Sequence, residues 1–134
     1  SIAISLSCSY ENRPRAYWET PMKLGPDLVR KLLREGWPAT IMLNVNFPDC
    51  APEDVAGTLI TNQGRRDQDY LRIVDRMDAR GRPYFWLGFN NQITEPAEGT
   101  DLWALRANKI SVTPLCLNLT HAETCQKLMK AFDS

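Results

Sequence analysis

The only histidine and an acidic turn near residue 100 are the side chains best suited to proton transfer or phosphate chemistry. Histidine is the side chain most often used as a general acid or base, and His121 is the only one in the chain. It follows a predicted helix N-cap on a solvent-facing side, with only Glu123 near it in sequence, so we interpret it as non-catalytic. Thr100 and Asp101 fit either a turn facing a phosphate or metal, or caps of a short helical turn at 101–106. We favour the capping role.

Two pairs of closely spaced carboxylates offer candidate metal ligands, Asp67 with Asp69 and Asp75 with Asp78. Carboxylate oxygens are the ligands that hard divalent cations prefer. Both pairs also border apolar, extended runs of sequence, where charges keep such a segment soluble. We favour this second role.

Arg65 and Arg66 follow Gly64 and resemble an anion-binding turn. A substrate phosphate and an interface carboxylate are both compatible partners for it. No Gly-rich phosphate loop, Gly-x-Ser-x-Gly or His-Glu-x-x-His pattern is present. The residues by themselves therefore assign no catalytic residue and no metal ligand, and they leave the substrate-binding residues unknown.

Charge balance and cysteine spacing argue against several classes of function. Lys plus Arg and Asp plus Glu number 16 each, so no net field favours a nucleic-acid polymer or a membrane surface as partner. No apolar run approaches the ~20 residues of a membrane helix. The cysteines form no Cys-x-x-Cys pair, which argues against zinc and favours reduced thiols in a cytoplasmic protein; they are Cys8, Cys50, Cys116 and Cys125.

A chain of 134 residues that is 43% hydrophobic can form one domain with one core. Alternating apolar residues predict strands at 2–6, 41–47 and 57–61. A loop at 8–25 and a helix at 26–35 lie between the first two strands. This order is typical of a right-handed βαβ crossover, so part of the sheet should be parallel.

The boundaries of the predicted helix come from its terminal residues. Pro26 suits a first turn, where its missing N–H is not needed, and Gly36 follows the last turn. The predicted apolar stripe consists of Leu28, Val29, Leu32 and Leu33.

Residues 70–77 and 83–88 predict a β-hairpin around a polar turn at 78–82. Both faces carry apolar residues, so either one face packs on the protein's own core or the hairpin contacts another subunit. We favour the subunit interface because Tyr and Trp are enriched in interfaces. The predicted interface residues are Tyr70, Val74, Tyr84 and Trp86, and the other face carries Leu71, Ile73, Phe85 and Leu87.

The last part of the chain predicts a strand and a helix. The strand at 109–112 should end at Thr113-Pro114. The helix follows at 121–132, where Thr120 and Glu123 predict a capping box.

The same C-terminal region carries a resemblance to a known family. Residues 98–101 read Glu-Gly-Thr-Asp, residues 111–115 read Ser-Val-Thr-Pro-Leu, and residues 118–120 read Asn-Leu-Thr. In this order they resemble the C-terminal signature of the stationary-phase survival protein family (SurE). Residues 43–48 and 78–88 match as well. Two departures stand out: Asn118 replaces an Asp of unknown role, and Asn108-Lys109 stands where the family commonly has Gly-Tyr. Asn tolerates a left-handed backbone, so the turn should survive.

The resemblance implies an α/β fold, namely the C-terminal part of a Rossmann-like domain with a mixed sheet, an extended hairpin arm and a C-terminal helix. We expect residues 1–134 to form a single unit that is the C-terminal half of a longer domain. Within it, residues 1–62 are the sheet and helix part, 63–97 the arm, and 98–134 the closing strand and C-terminal helix. The apolar strand at residue 2 agrees, because its sheet neighbours would precede it.

The function implied by the resemblance is a divalent-metal phosphatase acting on nucleoside 5′-monophosphates, with 3′-nucleotides and short polyphosphate as further substrates. Water activated by Mg²⁺ or Mn²⁺ attacks the phosphorus in this interpretation. The family's metal is held by an Asp-Asp pair and by later loops that cannot be placed on this chain, so the ligands are expected outside it. The resemblance also implies a homo-dimer or tetramer through the hairpin arm. The alternative is an oligomerisation module that is inactive without the missing half.

Overall fold

The computed structural model describes residues 1–8, 15–65, 71–89 and 95–132. A 3₁₀ turn at Pro52–Asp54 accompanies the longer elements. In chain order these are β1 (Ile2–Leu6), α1 (Glu19–Glu35), β2 (Ile41–Phe47), β3 (Thr58–Ile60), β4 (Leu71–Met77), β5 (Pro83–Phe89), α2 (Asp101–Arg106), β6 (Ile110–Cys116) and α3 (Ala122–Phe132).

A mixed four-stranded sheet organises the fold, with strand order β1-β2-β6-β3. β1 and β2 are parallel and are joined through α1, which confirms the parallel pairing predicted for the crossover. β6 runs antiparallel to β2 and parallel to β3. The α/β class, the mixed sheet and the C-terminal helix are therefore as predicted.

The core lies between α1 and one face of the sheet. Val45 and Phe47 of β2, with Ile110 and Val112 of β6, form one buried cluster with Leu28 of α1. Burying a large apolar side chain contributes about 1.5–3 kcal/mol relative to exposing it. This face therefore fixes α1 on the sheet.

Helix α1 begins at Glu19, so the predicted loop at 8–25 and the predicted start at residue 26 were wrong. Pro21 is tolerated because it lies in the first turn, where N–H groups have no partner inside the helix. Thr20 is fully buried, and its Oγ1 donates to the carbonyl oxygen of Cys50 at 2.6 Å, which anchors this end. Pro26 is then an interior proline. In the predicted stripe, Leu33 is 62% exposed, which corrects its assignment.

Strand β6 continues through Pro114 to Cys116, so the predicted end at Thr113-Pro114 was wrong. The carbonyl of Val112 accepts the N–H of Thr61, so the backbone of Val112 points toward β3. Alternate residues of a strand point their backbone groups the same way. At position 114 an N–H would therefore point to the β3 side of β6, beyond the end of β3, and not to β2. Proline at this position removes no hydrogen bond between β6 and β2.

Helix α3 is capped by His121 rather than by Thr120. The carbonyl of His121 accepts the N–H of Cys125 at 3.0 Å, and its ring Nδ1 accepts the N–H of Thr124 at 3.2 Å. The predicted capping box is therefore wrong. The His121 ring nitrogen can accept a hydrogen bond from the first N–H groups of the helix, which the hydroxyl of a Thr N-cap would otherwise accept.

The hairpin β4–β5 forms a separate two-stranded sheet. Its strands confirm the predicted hairpin, and its turn is fixed by Asp78, whose Oδ1 accepts the N–H groups of Arg80 and Arg82 at 2.8 Å each. Gly81 takes the positive φ of 75° that the turn requires. Among the described residues, no helix combines the length and apolar composition needed to cross a membrane.

Candidate functional site

The carboxyl ends of β1 and β2 meet at one edge of the sheet because the two strands are parallel. Ser7 and Cys8 follow β1, and Asp49 and Cys50 follow β2 after one proline. The N–H of Ser7 donates to the carbonyl of Phe47 at 2.8 Å, which holds the two exits together. Ligands of α/β proteins bind outside the carboxyl ends of parallel strands. This edge is therefore the candidate site.

Near this edge, a row of polar side chains lies across neighbouring strands, on the sheet face opposite α1. Ser5 and Asn46 are neighbours in register, and the Ser5 hydroxyl donates to the Asn46 side-chain oxygen. Asn46 is in turn paired with Ser111 of β6. Such residues on a central strand face are unusual, because sheets normally cover an apolar core.

Three buried hydroxyls continue this polar row. Thr61 Oγ1 lies 2.8 Å from Ser111 Oγ and 2.7 Å from Thr113 Oγ1, and each of these residues is at most 5% exposed. No histidine or carboxylate among the described residues hydrogen-bonds to them, so nothing there activates a nucleophile. The hydroxyls satisfy one another and link β3 to β6.

Cys50 is buried at the same edge, but its surroundings do not favour the thiolate that a nucleophile needs. Burial raises the pKa of its thiol, and the negative charges of Asp54 and Asp49 raise it further. Because the thiolate is the reactive form, a raised pKa keeps Cys50 protonated and inert at neutral pH.

Asp101 lies at the opposite edge of the sheet, at the carboxyl end of β3. Its Oδ1 accepts the N–H groups of Gly64 at 2.7 Å and Leu102 at 2.8 Å. The hydroxyl of Thr100 accepts the N–H of Trp103 as the N-cap of α2. The capping role predicted for Thr100 and Asp101 is thus the one observed.

The remaining predicted candidates do not converge with these residues. His121 caps α3 and is exposed, and Asp78 fixes the hairpin turn. Asp75 lies opposite Phe85 in the hairpin. Arg65 is exposed. Asp67, Asp69 and Arg66 lie outside the described residues, so the predicted anion-binding turn stays a prediction.

The predicted interface residues occupy one face of the hairpin where they are described. Val74 pairs with Trp86 in register, and Tyr84 is two residues before Trp86 on β5. Tyr70 lies outside the described residues. Tyr84 and Trp86 are 39% and 58% exposed, so their aromatic surface is open to a partner.

No divalent metal centre is formed by the residues that the structure describes. Among them, no group of three or more His, Cys, Asp and Glu side chains is arranged to hold a metal ion. A divalent metal needs several such oxygen or nitrogen ligands. The described residues therefore do not fit the metal site that the resemblance implies.

Sequence inspection missed the polar row and the hydroxyl cluster. The available pattern was the alternation of Ser111 and Thr113 with Ile110 and Val112, and of Asn44 and Asn46 with apolar residues. Alternation predicts a polar face, which we would normally assign to solvent. Only the pairing of β6 with both β2 and β3 buries Ser111 and Thr113, while Asn44 and Asn46 are half-buried.

Comparisons with known proteins agree with this architecture. The model of the family described as Survival protein SurE matches residues 1–70. A 5′-nucleotidase SurE of Parvibaculum lavamentivorans is 42% identical over 98% of this chain and 47% of its own length. One from Rhodopseudomonas palustris (strain BisA53) is 52% identical over 90% of this chain and 48% of its own length. The crystal structure of the SurE protein from Aquifex aeolicus superposes with a TM-score of 0.77 at 34% identity, over 99% of this chain and 51% of that chain. The chain spans about half the length of the curated relatives it matches.

Proposed function

The chain belongs to the SurE family, and from this we propose that it forms part of a divalent-metal-dependent phosphatase that hydrolyses nucleoside 5′-monophosphates to nucleoside and phosphate. The observation that carries the proposal is the similarity of nearly the whole chain to proteins named 5′-nucleotidase SurE. We include 3′-nucleotides and short polyphosphate as further substrates, Mg²⁺ or Mn²⁺ as the metal, and the cytoplasm as the location. The metal ligands belong, in this proposal, to sequence outside this chain.

The carboxyl edge of β1 and β2 is the part of the chain proposed to face substrate. Ser7 and Cys8 follow β1 at this edge, and the hydrogen bond from the Ser7 N–H to the carbonyl of Phe47 holds the chain in place where it leaves the strand. A loop placed by the sheet can form a rigid pocket wall, as productive orientation of a substrate requires.

The test is release of inorganic phosphate by the full-length protein that carries this sequence. We expect hydrolysis of AMP with Mg²⁺ or Mn²⁺ and loss of activity with a chelator. Ser7→Pro should lower kcat/KM by about 10-fold, because proline has no N–H to donate to the carbonyl of Phe47 and the pocket wall is displaced. Thr40→Ala, an exposed change at the amino end of β2, is the control and should have no effect. Absence of metal-dependent phosphate release from every nucleoside monophosphate would contradict the proposal.

Self-association through the hairpin, giving a homo-dimer or tetramer, is the second part of the proposal. It is supported by the exposed apolar and aromatic side chains on β4 and β5, since a two-stranded hairpin is marginal unless it is covered. In the alternative function, the 134-residue chain is only such an assembly module and does not turn over substrate. Phosphate release by this chain alone would exclude the alternative. A folded monomer at micromolar concentration in sedimentation would count against self-association.

A further inference from the structure

Two aromatic side chains are exposed where α1 begins. Tyr17 is 43% exposed, and Trp18, the residue directly before the helix, is 64% exposed. One exposed aromatic ring is common on a protein surface. Two adjacent rings beside the candidate site, however, offer a flat apolar surface to a ligand that binds there.

Trp18 lies on the face of α1 that packs on the sheet. Its backbone is already helical, with a φ of −58° and a ψ of −24°. Positions 18, 25 and 32 are separated by about two helical turns each, so they share one face. Gly25 on this face lies against the sheet, since a Cβ there would be 3.7 Å from the Phe47 ring. Leu32 packs against the core cluster. Trp18 therefore faces the side of α1 on which the sheet lies.

The strands end before they reach Trp18. Gly25 lies beside Phe47, which is the last residue of β2. Trp18 is seven residues nearer the start of the helix, a distance of about 10 Å along the helix axis. Helical side chains also lean toward the helix N-terminus. The indole ring of Trp18 therefore extends beyond the end of β2, at the carboxyl edge of the sheet, and this explains why a sheet-facing residue is exposed.

Hydrogen bonds hold the start of α1 at this edge. The bond from Thr20 Oγ1 to the carbonyl oxygen of Cys50 joins the first turn to the segment that follows β2. The carbonyl of Tyr17 accepts the N–H of Thr20 at 3.0 Å. The carbonyl of Trp18 accepts the N–H of Met22 at 3.3 Å. The backbone that carries both rings is thus fixed before a ligand binds, which lowers the entropy cost of binding.

The two rings suit one end of a nucleotide. A nucleoside monophosphate has a charged phosphate at one end and a flat, uncharged base at the other, and bases stack on exposed aromatic rings. On the described part of this edge, Ser7, Cys8 and Asp49 are small or polar, and the ring of Phe47 is fully buried in the core. The base therefore finds its stacking surface at the start of α1.

We propose that Trp18 is the stacking platform for the base of the nucleotide substrate, with Tyr17 beside it. This inference rests on the proposed function and assigns the residue that recognises the nucleoside part of the substrate. Every base has a π-face, so stacking accepts all of them. Trp18 thus selects nucleotides over phosphate esters that lack a base, and it does not select one base among the others.

Steady-state hydrolysis of AMP by the full-length protein with Mg²⁺ or Mn²⁺ tests this assignment, with adenosine and inorganic phosphate as inhibitors. Trp18→Ala should raise the KM for AMP and the Ki for adenosine by about 10-fold, as removal of a stacked ring does. The Ki for inorganic phosphate should change by less than about twofold, because phosphate has no base to stack. Trp18→Phe retains a ring and should restore most of the affinity. Leu33→Ala, an exposed change near the other end of α1, is the control and should alter none of these constants.

The outcomes separate this inference from the proposed function. Equal increases in the Ki values for adenosine and inorganic phosphate would overturn the assignment, because Trp18 would then only support the edge. An unchanged KM for AMP in Trp18→Ala, with the fold verified by circular dichroism, would overturn it as well. In both cases, metal-dependent hydrolysis of AMP by the wild type would leave the proposed function intact. Absence of phosphate release by the wild type from every nucleoside monophosphate would contradict the proposed function and this inference together.

Discussion

At the scale of single residues, Gly64 lies against the carboxylate of Asp101, which accepts its backbone N–H. A Cβ added at this position would lie 2.7 Å from Asp101 Oδ1 and 3.2 Å from the Leu102 side chain. Gly64→Ala should therefore break the hydrogen bond to Asp101 or displace α2, and lower the free energy of unfolding by about 1–3 kcal/mol. Urea denaturation followed by circular dichroism measures this difference.

Gly25 provides the matched control for that change. A Cβ there would lie 3.7 Å from the Phe47 ring, which is ordinary contact, and the residue lies inside α1. Gly25→Ala should stabilise the protein by about 0.5–1 kcal/mol, because alanine loses less backbone entropy in a helix. Equal effects of the two substitutions would show that the short distances at Gly64 are relieved without cost.

Cys50 should make stability depend on alkaline pH. Its folded pKa is raised by burial and by the charges of Asp54 and Asp49, so the folded state holds the thiol proton more tightly than the unfolded state. The stabilisation is complete below the ordinary thiol pKa of about 8.5 and is lost as pH rises through the raised folded value.

Alkylation by iodoacetamide, followed by peptide mass spectrometry, measures the protection of this thiol directly. Near pH 8.5 we expect Cys50 to react much more slowly than Cys8, which is exposed. Denaturation should abolish the difference. Equal rates in the folded protein would contradict the assigned burial.

At the scale of elements, Pro26 distinguishes the observed helix from the shorter one predicted from sequence. In the interior of α1, proline removes one hydrogen bond and crowds the preceding turn. Pro26→Ala should therefore stabilise the protein by about 1–3 kcal/mol in urea denaturation. If the helix began at residue 26, the same change would be neutral or slightly destabilising, since proline is favoured at that position.

The strands that could be predicted are those whose side chains alternate without interruption. β1 and β2 were predicted with their observed bounds, and the hairpin strands were close to theirs, because burial of alternate residues leaves a period of two in the sequence. The start of α1 and the end of β6 could not be predicted. Both depend on tertiary contacts, the Thr20–Cys50 hydrogen bond and the open edge beside Pro114, which override local proline preferences.

The candidate site was less predictable than the fold. Asp101 and His121 carry suggestive chemistry, but the structure uses them as helix caps. The polar row is built from residues on three strands that are distant in sequence, and its members are common Ser, Asn and Thr side chains. Asn108 is a case where local chemistry sufficed: its φ of 52° is the left-handed conformation expected for a substitute of glycine.

At the scale of the whole molecule, the apolar core and the candidate edge belong to the same sheet, whereas the hairpin is a separate one. The sheet fixes the backbone of Ser7, directly after β1, through its hydrogen bond to Phe47. The hairpin gives the chain a surface that its own core does not cover. The proposed pocket wall and the proposed self-association surface therefore lie on different sheets, and each can be altered without breaking strand pairs of the other.

The position of β6 in the chain also determines how late in synthesis the sheet can be completed. It lies between β2 and β3 in the sheet, yet it is synthesised after both of them and after the hairpin. At about 5–20 residues per second, several seconds of translation separate β3 from the strand that joins it to β2. During that interval Val45 and Phe47 have no Ile110 or Val112 to pack against. The nascent chain thus carries an unfinished sheet whose core lacks the side chains of β6, and such unpaired strand edges and incomplete packing favour aggregation.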